Sequence, residues 1–331
     1  MKVVVTGGAG FIGGNLVRAL QAAAAVDGVV VVDDLSTGVA GNLDGLDVDL
    51  RFGSILDRGP LDDACGGAGA IFHLAARPSV QRSVEDPVAT HEANASGTLA
   101  VLEAARRAGG CHVIVASSSS VYGGGPTLPR HERLAPQPLS PYAASKLAAE
   151  SYALAYGATY GLPVLAFRLF NVFGPLQLAG HAYAAVIPAF ASAALAGRPL
   201  VVHGDGRQTR DFTYVGSVVA VLADAVTRRV TSPGPVNLAF GSRRTLLEVI
   251  AAIQTVIGDR VDVVHTDPRP GDVRDSQPTS ARCGTCSRTW NRWASPRACG
   301  PPSTGCGKRP ADEGASPRST VGPARYGRNH R

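Results

Sequence analysis

Residues 2–20, KVVVTGGAGFIGGNLVRAL, run from a short apolar strand through a glycine-rich turn into an amphipathic helix. Gly7, Gly10 and Gly13 follow the spacing G-x-x-G-x-x-G. Glycines at this spacing permit a tight turn, close approach of the backbone to a pyrophosphate, and close packing of the helix on the strand. The first N–H groups of the helix and the positive end of its dipole then face the phosphates. The stretch predicts a parallel α/β sheet that binds a dinucleotide.

A second apolar strand ends in Asp33, and further apolar runs follow it along the chain. A carboxylate at this position binds the hydroxyls of the adenosine ribose and repels a 2′-phosphate, so we expect NAD rather than NADP. The further runs lie at 48–52, 69–73, 111–116 and 163–168, and they alternate with helical stretches that include the alanine-rich segments 85–108 and 140–160. This alternation is typical of a parallel sheet with crossover helices.

Tyr142 and Lys146 lie four residues apart in the run SPYAASKLAAE, and lysine is otherwise found only at positions 2 and 308. On a helix this spacing places both side chains on one face, one turn apart. An ammonium beside a phenol favours the phenolate and lowers the pKa of the tyrosine, which suits proton transfer. The alternative is a surface tyrosine beside a surface lysine.

The run SSSSVYG, residues 117–123, follows the apolar strand CHVIVA. It is either a loop of low complexity or a hydroxyl placed at the carboxyl end of a parallel strand, where ligands of α/β folds bind. With Tyr142 and Lys146 downstream, we favour the second interpretation.

Taken in order, these motifs resemble the extended short-chain dehydrogenase/reductase family, and within it the nucleotide-sugar 4-epimerases of the UDP-glucose/UDP-N-acetylglucosamine type. The resemblance covers residues 1 to about 278 and includes TGGAGFIG, VDDLSTG, FHLAA, NASGT, SSSSVYG, SPYAASKLAAE, FRLFNVFGP, GDGRQTRDFTYV and PRPGDVRDSQ. It implies an α/β fold with a Rossmann-type doubly wound parallel sheet over residues 1–170, to which some later segments return. A smaller C-terminal lobe, 171–280, would bind the sugar nucleotide, and two copies would pair through the segments 85–108 and 140–160 as a homodimer.

The resemblance assigns catalysis to Ser118, Tyr142 and Lys146. In the family, the tyrosine takes the proton of the sugar 4-hydroxyl while C4 gives its hydride to NAD, the keto-sugar turns over, and the hydride returns to the opposite face. Ser118 would hydrogen-bond the 4-oxygen, and Lys146 would hold the nicotinamide ribose and keep Tyr142 acidic. Related dehydratases carry an Asp-Glu pair, and decarboxylases a Glu, where this chain has Ser119 and Ser120. The resemblance therefore favours epimerisation at C4 over dehydration or decarboxylation.

The same resemblance implies the residues that bind NAD and a UDP-sugar, and it implies no metal. For NAD they are Gly7, Gly10, Phe11, Ile12, Gly13, Asp33, Ser54, Ile55, Leu74, Ala75, Ala76, Asn94, Tyr142 and Lys146. For the UDP-sugar they are Ser79, Ser118, Asn171, Arg210, Arg269, Asp272 and Ser276.

Within the substrate set, the resemblance gives different parts of the ligand to different residues. Asn171 and Arg210 would meet the phosphates, where the planar fork of arginine suits phosphate oxygens. Arg269 and Asp272 would meet the uridine, although PRPGD is also turn chemistry. Ser276 stands at a position where a bulky tyrosine restricts the family to unacetylated sugars, so UDP-N-acetylglucosamine is an expected substrate.

Two positions depart from the family pattern. Ser54, in GSILD, stands where the family commonly has an aspartate that meets the adenine amino group, and Ser217 stands where an acidic residue is common. Neither change touches the chemistry assigned to Ser118, Tyr142 and Lys146.

The net charge of +6 does not indicate a nucleic-acid-binding protein, because the charge is concentrated in residues 281–331. That tail carries a net charge of +8, which leaves the remainder at −2. The tail also holds four of the six cysteines (Cys283, Cys286, Cys299 and Cys306) and a single Val, Ile, Leu, Met or Phe residue, Val321. Such a composition cannot bury a core, and by itself it predicts disorder.

Three interpretations of the tail remain open. The cysteines could form a zinc site, although the second pair has the spacing C-x6-C. The tail could be a basic disordered segment that binds anionic partners. Alternatively, the gene is read out of frame here: Cys and Trp codons begin with TG, so a frame shifted back by one base turns each of them into a Leu, Val or Met codon. The pair Asp312–Glu313, written GATGA, then supplies a TGA stop.

A second hypothesis follows from the tail: an NAD-binding remnant or regulatory protein without turnover. The small lobe would lose an apolar helical face, at a cost of about 1.5–3 kcal/mol for each large side chain left unburied. For location, the first strand begins at residue 2, which leaves no room for a signal peptide, and no apolar stretch is long enough to span a membrane. We therefore expect a cytoplasmic protein without a nucleic-acid or membrane partner.

Overall fold

The computed structural model describes residues 1–179, 184–241, 243–267 and 275–279 of the chain. The strands of the described part are β1 (Lys2–Thr6), β2 (Gly28–Asp33), β3 (Asp49–Phe52), β4 (Ala70–His73), β5 (His112–Ser118), β6 (Val164–Leu169), β7 (Val172–Phe173), β8 (Leu200–His203), β9 (Thr209–Asp211), β10 (Thr213–Tyr214), β11 (Val236–Leu238), β12 (Arg243–Thr245) and β13 (Val263–Thr266). Seven of them form one sheet in the order β11-β6-β5-β4-β1-β2-β3, with parallel pairing throughout. The sequence prediction of a doubly wound parallel sheet is confirmed.

Helices connect the strands. They are α1 (Phe11–Gln21), α2 (Arg58–Cys65), α3 (Val80–Glu85), α4 (Pro87–His91), α5 (Gly97–Arg107), α6 (Pro141–Tyr160), α7 (Val186–Leu195), α8 (Val215–Thr227) and α9 (Leu246–Ile257). Short 3₁₀ turns span Ala40–Leu43 and Ser119–Tyr122, and a π turn spans Glu92–Ser96. In the described part of the chain, no helix is long and apolar enough to cross a membrane.

The segment 85–108, expected as one long helix, is interrupted near its start. The Asp86 carboxylate accepts a hydrogen bond from Ala89 N at 3.0 Å and so caps the start of α4. Pro87 occupies the first turn of α4, where its missing N–H costs nothing, and it disfavours helical backbone at Asp86. The chain therefore turns at Asp86, and the π turn leads from α4 into α5.

The sheet is buried on both faces, which explains why its strands read as continuous apolar runs. On one face α1 and α8 pack together, with Leu16, Leu20 and Val218 fully buried. On the other face α2, α5 and α6 cover the sheet. Because α8 and β11 come after residue 170, later segments do contribute to the sheet layer.

A smaller core lies in the second half of the chain. Helices α7 and α9 pack on the pair β8–β13, and Phe190, Leu200, Val202, Leu246 and Ile250 are buried there. The helix α9 begins with a capping box, in which Thr245 accepts from Glu248 N and Glu248 accepts from Thr245 N. The exact domain boundary at residue 170 stays a prediction.

Candidate active site

A cleft of about 850 Å³ opens at the carboxyl ends of the sheet strands. Its walls are the turns that follow β1, β2, β3, β4, β5 and β6, together with Tyr142 and Lys146 from α6. Ligands of doubly wound sheets bind in such a crevice. The fold therefore brings residues that are far apart in sequence to one place.

The turn after β1 is shaped for close approach of a ligand to the backbone. Gly7 has φ 72°, and a Cβ there would lie 2.6 Å from Ala75 N. A Cβ at Gly13 would collide with the carbonyl oxygen of Gly7. No described side chain caps α1, whose N-cap is Gly10, so the first N–H groups of the helix remain for a ligand. The cradle fits a pyrophosphate group.

Asp33 ends β2 and lines the same cleft. One carboxylate oxygen accepts from Ala9 N and the other from Leu35 N, each at 2.9 Å. Burial raises the pKa of Asp33, and the two backbone hydrogen bonds oppose that rise. The two bonds hold the carboxylate in place with lone pairs remaining for ribose hydroxyls, so the residues present fit a dinucleotide such as NAD.

Ser118, Tyr142 and Lys146 meet on the opposite wall. Ser118 is the last residue of β5, and its Oγ accepts from Ser120 N at 3.2 Å and from Ser120 Oγ at 2.9 Å. The Tyr142 phenol lies close enough to Ser118 for the serine hydroxyl to lower its pKa. The Lys146 Nζ, one turn further along α6, donates to Ala116 O at 2.9 Å. The chain thus offers a hydroxyl pair and an ammonium beside the dinucleotide cradle.

The electrostatics of this group differ from the sequence prediction. Burial raises the pKa of Tyr142 above its ordinary value, while the nearby Ser118 hydroxyl lowers it by less. Burial lowers the pKa of Lys146 to about 8. Burial is the largest cause of the shift in the pKa of Tyr142, and the expected role of Lys146 in keeping Tyr142 acidic stays a prediction.

Most of the residues predicted to bind NAD line the cleft. They are Gly7, Gly10, Phe11, Ile12, Gly13, Asp33, Ser54, Ile55, Leu74, Ala75, Ala76, Tyr142 and Lys146. The amide of Asn94 instead accepts from Arg77 N at 2.7 Å and donates to Ser145 Oγ at 3.0 Å. Asn94 is buried and does not line the cleft, so in this structure it braces the turn after β4 against α6.

Of the residues predicted to bind the substrate, Ser118, Asn171, Arg210 and Ser276 line the cleft. Ser79 does not, since its side chain caps α3 by accepting from Arg82 N at 3.3 Å. Arg269 and Asp272 lie outside the described residues. A smaller cavity of about 270 Å³ shares Asn171, Val172 and Arg210 with the cleft, and its other lining residues lie between Phe173 and Leu246 in the chain.

The two departures from the family pattern have different surroundings. Ser54 lines the cleft, where its Oγ accepts from Leu56 N at 3.1 Å. Ser217 is buried within α8.

Several residues of the cleft wall were not predicted from the sequence. They include Ser36, Thr37, Arg77, Tyr122, Arg130, Gln177 and Asp275. Ser36 and Thr37 belong to the quoted motif VDDLSTG, and Tyr122 to SSSSVYG, so the motifs themselves carried that signal. Arg130 has no neighbouring motif; its guanidinium donates to Gly125 O at 2.6 Å and holds the loop after the 3₁₀ turn.

Within the described ranges, no group of three or more His, Cys, Asp or Glu side chains could hold a metal ion. Cys65 and Cys111 are free and buried. The tail cysteines, and with them the zinc, disorder and out-of-frame interpretations, lie outside the described residues.

Comparison with known proteins supports the family and the fold that the sequence motifs predict. A UDP-glucose 4-epimerase of Mycolicibacterium smegmatis is 39% identical over 295 residues, covering 85% of this chain and 91% of that protein. A UDP-N-acetylglucosamine 4-epimerase from Methanobrevibacter ruminantium superposes with a TM-score of 0.82 at 34% identity, covering 88% and 96% of the two chains. A UDP-glucose 4-epimerase of Thermus thermophilus in complex with NAD has a TM-score of 0.79 at 36% identity, with 88% and 93% covered.

Relatives named for other reactions also match at 35% identity. They are a UDP-N-acetyl-alpha-D-glucosaminuronate decarboxylase of Bacillus cytotoxicus, with 80% of this chain and 83% of that protein covered, and a dTDP-glucose 4,6-dehydratase of Xanthomonas campestris, with 83% and 80% covered. Residues 3–239 match the NAD dependent epimerase/dehydratase family. NAD is the cofactor of that family, and it is the cofactor that the glycine cradle and Asp33 fit. The chain is therefore an enzyme with a Rossmann-type fold that belongs to the NAD-dependent epimerase/dehydratase family, within the extended short-chain dehydrogenases/reductases.

Proposed function

We propose that the protein interconverts UDP-sugars at C4. The observation that carries the proposal is the cleft wall that brings Ser118, Tyr142 and Lys146 together, with only hydroxyls at positions 119 and 120. When bound, NAD takes a hydride from the sugar carbon and returns it, so that the cofactor ends as it began.

In this mechanism, Tyr142 moves the proton of the sugar 4-oxygen and Ser118 holds that oxygen by a hydrogen bond. Burial raises the pKa of Tyr142 and so opposes the phenolate that takes the proton of the sugar 4-hydroxyl, and we assign Lys146 the role of offsetting that burial. The same phenol gives the proton back when the hydride returns. The Lys146 Nζ, held at 2.9 Å from Ala116 O, fixes a positive charge on the same wall. Ser118 and Tyr142 act at one oxygen, and the reaction needs no second proton carrier.

The wall at Ser119 and Ser120 distinguishes epimerisation from the reactions of other relatives. Both residues line the cleft, and neither carries a titratable carboxyl group. A dehydration or a decarboxylation needs a further acid or base at this wall, which a serine hydroxyl does not supply near neutral pH. The geometry therefore supports epimerisation better than dehydration or decarboxylation.

The substrate side of the cleft supports a nucleoside diphosphate. Asn171 and Arg210 lie where the large cleft meets the cavity of about 270 Å³. The Asn171 Nδ2 donates to Asp211 O at 3.0 Å, which ties the residue to β9. Ser276 on the cleft wall is small enough to leave room for an N-acetyl group. We propose UDP-glucose and UDP-N-acetylglucosamine, with their C4 epimers, as substrates.

We further propose a homodimer that pairs through α4, α5 and α6. Apolar side chains on and beside these helices are exposed in the single chain: Val84 and Val88 are each 66% exposed, Tyr160 57% and Tyr152 42%. Burying such a face stabilises an assembly. Size-exclusion chromatography with light scattering tests the assembly, and a monomer at micromolar concentration contradicts it.

The activity is tested by incubating the purified protein with UDP-glucose, and separately with UDP-N-acetylglucosamine, without added NADH. We expect each to approach an equilibrium mixture with its C4 epimer, as measured by NMR of the anomeric protons. Tyr142→Phe is the matched control, since it removes only the phenolic oxygen. A 4-keto-6-deoxy product or release of carbon dioxide from a UDP-uronic acid would instead identify a dehydratase or a decarboxylase.

The alternative is a protein that binds NAD without turnover. Its discriminating result is NAD retained through purification, or bound on titration, with neither UDP-sugar converted by the wild-type chain. The same result would overturn the epimerase proposal.

A further inference from the structure

A buried charged pair lies beneath the catalytic wall. The guanidinium of Arg168, on β6, donates from Nε to Glu150 Oε2 at 2.9 Å and from its terminal nitrogen to Glu150 Oε1 at 2.6 Å. The two side chains are only 2% and 3% exposed. Ser117 Oγ also donates to Glu150 Oε2, at 2.7 Å. Neither Glu150 nor Arg168 lines the cleft, so the pair touches neither ligand site.

The pair and Ser117 join β6 to α6 and β5, the two elements that carry the proposed catalytic residues. Glu150 lies on α6, one turn beyond Lys146 and two beyond Tyr142. Ser117 and Arg168 are direct register partners on β5 and β6, so both side chains turn to the face that α6 covers. Since successive side chains of a strand alternate, anchoring Ser117 on Glu150 settles the direction in which Ser118 leaves the strand.

Arg168 also reaches the turn that follows Ser118. Its guanidinium lies over the ring of Tyr122, 4.5 Å from the centroid. Tyr122 lines the cleft, and its hydroxyl donates to Asn237 Oδ1 at 2.6 Å. One guanidinium NH group of Arg168 is buried without a hydrogen-bond partner in the described part of the chain. A pair that leaves a charged donor unsatisfied is poorly explained by stability alone, because burying two charges costs about as much as their attraction returns.

We propose that Glu150 and Arg168 are positioning residues, which set the orientation of Ser118 and of the 3₁₀ turn relative to Tyr142. The inference rests on the proposed function for its kinetic readout. It predicts a specific pattern: loss of turnover with unchanged substrate affinity. A misplacement of about 1 Å in a hydrogen-bonded site costs up to about 100-fold in rate.

The deciding variant is Glu150→Met with Arg168→Met, which removes both charges and leaves neither unpaired. We expect the double variant to fold with a melting temperature at or above that of the wild type, since apolar replacement of a buried pair is often neutral or stabilising. We expect kcat to fall about tenfold or more while KM for the UDP-sugar changes less than about twofold. A stable double variant with wild-type kcat overturns the proposal, because a purely structural pair predicts that outcome.

Ser117→Ala is a second test of the proposal, which applies if the double variant does not fold. It removes one hydrogen bond and buries no unpaired charge, so we expect a folded protein with kcat several-fold lower and a pH profile of kcat shifted to higher pH, since Ser118 lowers the pKa of Tyr142. Wild-type kcat and an unshifted profile in Ser117→Ala overturn the proposal. Glu103→Gln, which changes an acid to an amide on the outer helix α5, is the matched control and should keep wild-type kcat.

If the wild-type chain does not turn over, the proposed function has failed. For the positioning role, the readout is then the phenolate titration of Tyr142, measured as the ultraviolet difference between the protein and its Tyr142→Phe variant. An unchanged pKa in Ser117→Ala overturns the role, and a raised pKa supports it.

Discussion

Acid should destabilise this protein through His73, a buried histidine at the end of β4. The His73 ring is 3% exposed and lies between Thr6 Oγ1, 2.8 Å from Nδ1, and Thr98 Oγ1, 2.9 Å from Nε2. The Thr98 hydroxyl donates to Asn94 O at 2.6 Å, so it must accept from His73 Nε2–H, and Nδ1 accepts from Thr6. The ring is therefore held neutral. Burial, and then the charge of Lys146, lowers the pKa of His73 to about 3.

The sign and size of the effect follow from linkage. The unfolded chain binds the proton near pH 6.5 and the folded chain only near pH 3, so the contribution is complete above pH 6.5 and is lost as the pH falls below it. Each pH unit of that window costs about 1.4 kcal/mol. Burial also lowers the pKa of His112 to about 4, which gives a second group with the same sign. At about pH 5 the two together remove about 4 kcal/mol, out of a typical stability of about 5–15 kcal/mol.

The assay is urea unfolding between about pH 6.5 and about pH 5, a window that lies above the ordinary pKa values of carboxyl groups. We expect the free energy of unfolding to fall with a slope of about two protons for the wild type and about one for His73→Gln. His91→Gln, at an exposed position of α4, is the matched control and should retain the wild-type slope. Equal slopes for the wild type and His73→Gln would refute the reasoning.

Three further predictions concern the site and the tail. Lys146→Met should abolish turnover yet raise the free energy of unfolding near neutral pH by about 3 kcal/mol, because burial lowers the pKa of Lys146 from 10.5 to about 8. The buried ammonium destabilises the folded protein below pH 8, and this destabilisation disappears as the pH rises to 10.5. Urea unfolding beside the epimerase assay checks the prediction, and a less stable variant contradicts it. Gly13→Ala should lose bound NAD, since the added methyl meets the carbonyl oxygen of Gly7, whereas Gly28→Ala, where a Cβ meets nothing within 4 Å, should keep it; NAD released from the denatured proteins measures both. If the tail is read out of frame, sequencing of the gene should show GAT at the codon of Asp312, and GAC there would exclude that interpretation.

The strands could be predicted closely because a sheet covered on both faces needs continuous apolar runs. The runs at 2–6, 69–73 and 163–168 correspond to β1 (Lys2–Thr6), β4 (Ala70–His73) and β6 (Val164–Leu169). The break at Asp86 was missed, although Pro87 marks it, because helical composition on both sides suggested one helix. The return of α8 and β11 to the sheet could be anticipated only from the resemblance, since strand pairing over such a distance leaves no local pattern.

The cleft residues could be predicted where a motif places them directly after a strand, as it does for Asp33 and Ser118. Asn94 lies in the motif NASGT and Ser79 lies three residues after FHLAA, yet the side chain of each makes a hydrogen bond within the protein. A motif gives the neighbourhood of a residue, and packing decides which way its side chain points. The direction of the Tyr142 pKa shift shows the same limit: spacing predicts the nearby ammonium, but only the fold determines how far burial opposes it.

The four serines of the run 117–120 have different roles, although the segment has the composition of a low-complexity loop. Ser117 turns inward and donates to Glu150, while Ser118 lowers the pKa of Tyr142 and caps the 3₁₀ turn. Ser120 donates to Ser118 Oγ at 2.9 Å, which commits the Ser120 proton and leaves the Ser118 proton to Tyr142 or to a ligand oxygen. Ser119, which like the others lines the cleft, adds a hydroxyl and no charge. A carboxylate at Ser120 would replace that donor with an acceptor beside Ser118, so a second acid or base at this wall could be gained only by rebuilding the hydrogen bonds that orient the first.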